Sequence, residues 1–219
     1  MSETSKNDPS GSKSERFEIF IAFLLGIAAI LTAWAAFQSN LLSGDSQKEF
    51  TKAALSSDES SFWFNQGNQR TIQDQALWLE YAKAAQAEDE VLTSYIKDSL
   101  MDENLSGAID WYLEQGDEVD SPFVEAKDNP YSIEEYEQGA DLDAKTKKQR
   151  KEGERLDKWG DDFDAQTVLL AMALFLFGIS TVFDSRRVQI GLATFGAIVL
   201  VIGAIQLIDL GTYESFWNR

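Results

Sequence analysis

AQTVLLAMALFLFGISTVF at residues 165–183 and VQIGLATFGAIVLVIGAIQLIDL at residues 188–210 decide the fold. Each is long enough to cross a bilayer, since about 20 apolar residues at 1.5 Å per residue span the hydrocarbon core. Only Asp184-Ser185-Arg186-Arg187 lies between them. A link that short, residues 184–187, fits a basic helical hairpin and nothing larger.

Working outward, residues 17–42 form a third apolar block whose sole charge is Glu18. Trp34 and Phe37 lie towards its far end, where an aromatic belt meets the membrane interface. Ala33-Trp34-Ala35, with Lys13 and Arg16 upstream, also resembles a signal-peptidase site. The apolar stretch before it is long for a signal peptide, so an uncleaved anchor is expected. Ala22, Gly26, Ala29, Ala33 and Ala36 recur at steps of four and three. They predict a small-residue stripe that lets another helix approach closely.

Between the first and second blocks, residues 43–164 carry 13 Lys and Arg against 30 Asp and Glu. Nearly all of the chain's formal charge of -18 therefore resides there. Such a surface repels nucleic-acid phosphates and anionic headgroups and favours solvation. Residues 45–90 contain no Pro and predict one long helix or two in line. They include an amide run, Asn65, Gln66, Asn68, Gln69, Gln73 and Gln75, suited to a solvated face or to hydrogen bonding across a helix interface. Two shorter helices are expected at 91–101 and 105–115, the second stopped by Gly116. A loop with Pro122 and Pro130 follows, in which Phe123 is expected to be buried. Ser132 then reads as an N-cap with Glu135 closing a capping box, and Tyr131 and Tyr136 as a hydrophobic staple. Residues 1–16 predict a disordered tail. Residues 211–219, with Tyr213, Phe216, Trp217 and Arg219, predict an interfacial anchor.

The chain has no Cys and no His. That removes disulfides, thiol nucleophiles, imidazole ligands and every triad built on His. Asp141-Leu142-Asp143 with Glu152 begins like a calcium loop, but Lys145 and Thr146 stand where an oxygen ligand and Gly are required. Asp117, Glu118 and Asp120, and likewise Glu88, Asp89 and Glu90, read as solvated acids without ligand spacing. Glu18, Asp184 and Asp209 lie near span ends, and the polar residues inside the spans are neutral, which speaks against a proton-coupled transporter. No catalytic, cofactor or metal residue is assigned, and no cofactor is expected.

Several segments together resemble a family of uncharacterised prokaryotic membrane proteins with three spans and a helical domain inserted between the first two. They are Ala33-Trp34-Ala35-Ala36-Phe37-Gln38, Ser121-Pro122-Phe123 with Tyr136, Leu174-Phe175-Leu176-Phe177-Gly178-Ile179-Ser180, and Arg186-Arg187. The family usually has more Arg in its inserted helices. The resemblance implies a prokaryotic cell membrane and this architecture, and it implies no activity.

The expectation is thus an all-α membrane protein with three transmembrane helices and an acidic helical soluble domain at 43–164. Arg186, Arg187, Lys13 and Arg16 place the N-terminus and hairpin in the cytoplasm and residues 43–164 outside it. The run from Lys145 to Lys158 opposes that orientation. The expected function is a non-enzymatic, membrane-anchored interaction or assembly protein. Its partners would be the lipid bilayer and a protein or second copy, with no nucleic acid. The alternative is a sensor or transporter accessory subunit binding a cation or solute through its acidic loop.

Overall fold

The computed structural model describes residues 9–211, with side chains from Arg16 onward except that of Asp117. Five α-helices account for most of it: α1 Pro9–Gln86, α2 Glu90–Tyr95, α3 Glu103–Gln115, α4 Glu134–Ser180 and α5 Arg186–Leu210. A π turn, Ile96–Leu100, extends α2, and a 3-10 turn, Gly116–Glu118, follows α3. Helices α1, α4 and α5 are each long and apolar enough to cross a membrane.

The first span and the long helix after it are one element, because nothing in 78 residues breaks α1. Its start at Pro9 corrects the expected tail, since residues 9–16 are helical. Proline is at home in a first helical turn, where its missing N–H has no intrahelical acceptor. Glu88 takes a left-handed φ of 56° after α1 ends, and the Asp89 side chain then caps α2 by accepting from Leu92 N. Residues 1–8 and the expected anchor Tyr213, Phe216, Trp217 and Arg219 lie outside the described residues.

The hairpin is also corrected. Arg186 and Arg187 form the first turn of α5, not the loop. Gln189 Nε2 donates to Phe183 O at 2.8 Å, tying that turn to the end of the preceding span.

The chain divides into two compact units, and α1 and α4 contribute to both. One unit comprises the chain up to Thr51 and from Gln149 onward. Its core is written in sevens: Ile21, Ala28, Ala35 and Leu42 on α1, and Leu156, Phe163, Leu170 and Phe177 on α4, all buried. A strict seven-residue repeat keeps two helices facing each other through a left-handed supercoil. Helix α5 joins through Gly196, which receives the Phe177 ring, and Gly203, which receives Leu170. Trp159 Nε1 donates to Leu210 O at 3.2 Å, satisfying a carbonyl at the end of α5.

Of the stripe Ala22, Gly26, Ala29, Ala33 and Ala36, the first four are exposed and do not face the other spans, Ala36 is half-buried, and a Cβ on Gly26 would meet nothing within 4 Å. A helix this rich in Ala and Gly offers several small-residue stripes. The Leu and Phe side chains of α4, spaced seven apart, select the one containing Ala28 and Ala35.

The other unit is Lys52–Lys148. Here Ala53, Ser60 and Gly67 on α1 and Gly139 and Thr146 on α4 are buried, again seven apart. Ser60 Oγ donates to Gly139 O at 2.8 Å, and the Phe64 ring lies on Gly139, 3.2 Å from where a Cβ would stand. Gly67 receives the Tyr136 ring in the same way. In the first unit Ser46 Oγ donates to Gly153 O at 3.0 Å, beneath the Phe50 ring. Beyond these contacts Tyr81, Ala84, Ile96, Leu105 and Ile109 form a second core.

A side chain at Gly139 has no room, because the Phe64 ring covers it. Gly139→Leu should lower the melting temperature of the full chain in detergent by the equivalent of about 1–3 kcal/mol. Gly26→Leu should leave it unchanged. Equal tolerance of both would show that backbone contact at Gly139 does not hold the helix pair.

Candidate functional site

A polar cluster within Lys52–Lys148 is built around Arg70. The residue projects from α1 beside the small-residue seam, and its guanidinium meets carboxylates from three segments. Asp74 is one turn on, at 3.9 Å; Asp102 pairs with Nη2; Glu135, from the first turn of α4, lies at 3.6 Å. Each carboxylate has a structural reason to be there. Asp102 Oδ1 accepts from Leu105 N at 2.8 Å and so caps α3. Asp74 Oδ2 accepts from the Tyr131 hydroxyl at 3.0 Å. One Glu135 oxygen faces Arg70, and the other is buried without a hydrogen-bond partner.

The expected capping box is therefore corrected. Helix α4 begins at Glu134, two residues past Ser132. Ser132 Oγ instead accepts from Asn104 Nδ2 at 3.1 Å, while its backbone N–H donates to Asn104 Oδ1. A cap needs a free hydroxyl and a box needs a free glutamate, and here α3 and Arg70 have taken both. Tyr136 does not staple to Tyr131. Its ring seats on Gly67, and its hydroxyl donates to Asn68 Oδ1 at 2.8 Å.

The loop before α4 is fastened by Asn129. Its side-chain amide donates to Pro122 O and Val124 O at 2.9 and 2.8 Å, and its Oδ1 accepts from Tyr131 N at 3.0 Å. This holds the Phe123 ring edge-on to Tyr131, 4.9 Å between centroids. Pro122 is the fully buried residue of the corner, and Phe123 is half-buried.

Electrostatics follow from this geometry. Burial pulls the Arg70 guanidinium down, but Asp102, Glu135 and Asp74 outweigh it and hold it above its ordinary value. Burial pushes the Asp74 carboxyl above its ordinary 3.8, although the Tyr131 hydrogen bond and Arg70 pull the other way. Burial raises Tyr131, and the adjacent Asp74 carboxylate raises it further.

An open recess of about 400 Å³ adjoins the cluster, walled by Gln66, Gln69, Gln73 and Arg70 with Asp102 and Glu135. Its wall holds amides, carboxylates and one cation that is already engaged. That arrangement fixes α1 to the starts of α3 and α4, so chemically it is a latch.

The acids singled out in the sequence are scattered. Asp89 caps α2, Asp143 pairs with Lys147 at 2.7 Å, and Glu152 pairs with Arg155 at 2.6 Å. The Arg155 hydrogen bond holds the Glu152 carboxyl below its ordinary value. Glu88, Glu90, Glu118 and Asp120 are exposed. Among the described residues, no group of three or more His, Cys, Asp or Glu is placed to hold a metal ion. Sequence reasoning passed over Arg70. The available signal was a lone cation inside an amide run, followed by an acid one turn later.

Comparison with known proteins adds no assignment: no family model, no curated protein and no solved structure matches the chain.

Because the folded state raises the Asp74 pKa, it binds that proton more tightly than the unfolded chain does. The resulting stability is fully present below pH 3.8 and is lost as pH rises through the raised folded value. Asp74→Asn keeps an acceptor for Tyr131 and removes the buried charge. The variant should match or exceed the parent in melting temperature at pH 7, and the advantage should close below pH 3.8. Arg70→Ala should cost about 1–2 kcal/mol after solvent screening, and Arg70→Lys should recover only part of it. Melting of the full chain across pH measures both. A large loss in Asp74→Asn at pH 7 would refute the burial argument.

Proposed function

We propose that this chain is a membrane-anchored assembly protein. Its apolar spans hold it in a prokaryotic cell membrane, and residues 43–164 form an acidic helical domain that presents a docking surface. The observation that carries the proposal is the exposure of large apolar side chains away from the apolar spans. Leu55, Phe62, Ile72 and Leu79, on one face of α1, are 66%, 53%, 65% and 53% exposed. Exposed apolar surface of this kind marks interaction sites. The Arg70 latch supports the same reading, because a docking surface on several helices needs them held in one arrangement.

The proposed orientation places residues 43–164 outside the cytoplasm. Arg186 and Arg187 sit beside the shortest connection between spans, and Arg16 precedes the first, where basic residues prefer the cytoplasmic side. The run from Lys145 to Lys158 belongs to a long segment, in which that preference weakens.

Purification from native membranes under mild cross-linking tests the function. The expected product is a defined complex of more than one chain. A single chain with no companion would sink the proposal. Orientation is read separately with Glu114→Cys, an exposed site on the Cys-free background. A membrane-impermeant maleimide should label it in intact spheroplasts. Labelling only after lysis would reverse the orientation.

A further inference from the structure

The inner face of α1 within Lys52–Lys148 is covered by α4. The opposite face is bare, yet it carries its own seven-residue pattern. Leu55, Phe62, Ile72 and Leu79 are 66%, 53%, 65% and 53% exposed, and Asn65 and Gln69 stand exposed among them. Together with Asp58 and Ala76 these positions alternate steps of three and four from 55 to 79. That is the spacing by which a helix meets a second helix of the same repeat.

We infer that this face pairs with the same face of a second copy of the chain, as a parallel, in-register coiled coil. The inference rests on the assembly reading above and names the partner.

Three observations select a second copy. First, residues 60–73 contain no acid in a chain of formal charge -18, and their single charge, Arg70, is engaged on the other side of the helix. Two such acidic chains approach each other at least cost along a neutral face, whereas a basic partner would be drawn to the acids elsewhere. Secondly, a shared bilayer gives both copies one orientation, so their α1 helices can only run parallel. Thirdly, a parallel pair in register sets Asn65 against Asn65. A carboxamide is both donor and acceptor and so satisfies its own copy. A polar Asn within an apolar heptad seam fixes register in this way. Gln75 flanks the seam, while Gln66 and Gln73 lie at its edge, where they also wall the Arg70 recess. Asp58 is the exception, since it would face its own copy with like charge.

The chain lacks Cys, so single cysteines report the contact directly. In native membranes, mild oxidation of Ile72→Cys should convert most of the chain to a covalent dimer. Lys145→Cys, exposed on α4, should stay monomeric. Co-expressed Leu55→Cys and Leu79→Cys chains should give no mixed dimer, because those positions stand about 36 Å apart along a helix. In detergent, Phe62→Glu with Ile72→Glu should reduce the mass from two chains to one while helical content is kept. Asp58→Leu should shift dissociation to lower chain concentration. Absence of the Ile72→Cys dimer, equal cross-linking at 145, or a dimer indifferent to the double Glu variant would overturn the pairing. If the pairing fails while the chain still purifies with a different protein, the assembly reading survives it. A solitary chain would end both.

Discussion

Close backbone approach between α1 and α4 is the constraint on which the other features depend. Ser46 reaches the carbonyl of Gly153, and Ser60 that of Gly139. Both carbonyls belong to glycines roofed by an aromatic ring from α1. Two helices approach this closely only where neither carries a bulky side chain, and a supercoil with a strict repeat of seven restores that condition every two turns. The buried serine hydroxyls find acceptors only because the opposing carbonyl is bare, so the glycines and the serines require each other.

That seam determines what the rest of each helix does. With α1 committed to α4 on one side, Arg70 is held where carboxylates from α1, α3 and α4 converge. The latch in turn settles the fate of residues that looked like helix-capping signals. Ser132 and Glu135 are drawn into contacts with Asn104 and Arg70, and α4 starts later than its local sequence invites. Local propensity is worth about 1 kcal/mol at a cap, and a charge-assisted contact with a distant segment competes with it on equal terms. The same commitment leaves the opposite face of α1 bare, and the proposed function and its partner follow from that face.

Much of this was legible in the sequence. Three apolar blocks fix three membrane-length helices, because length and composition alone decide whether a segment can cross hydrocarbon. The stretch without Pro at 45–90 left one long helix or two in line open, and α1 runs through it to Gln86 without a break. The corner at Pro122 and the stop at Gly116 follow from turn chemistry. The absence of Cys and His removes whole classes of chemistry before any coordinate is known.

Choices between equivalent local options belonged to the tertiary structure. Several small-residue stripes run along α1, and only the Leu and Phe side chains of α4 chose Ala28 and Ala35 over Gly26 and Ala29. Thirty acids in residues 43–164 gave no reason to prefer Asp74, Asp102 and Glu135, which lie far apart in sequence and meet only because three segments converge on Arg70. Periodicity along one helix records that a face packs. It does not record which partner arrives or at what rotation, because that depends on side chains from elsewhere in the chain.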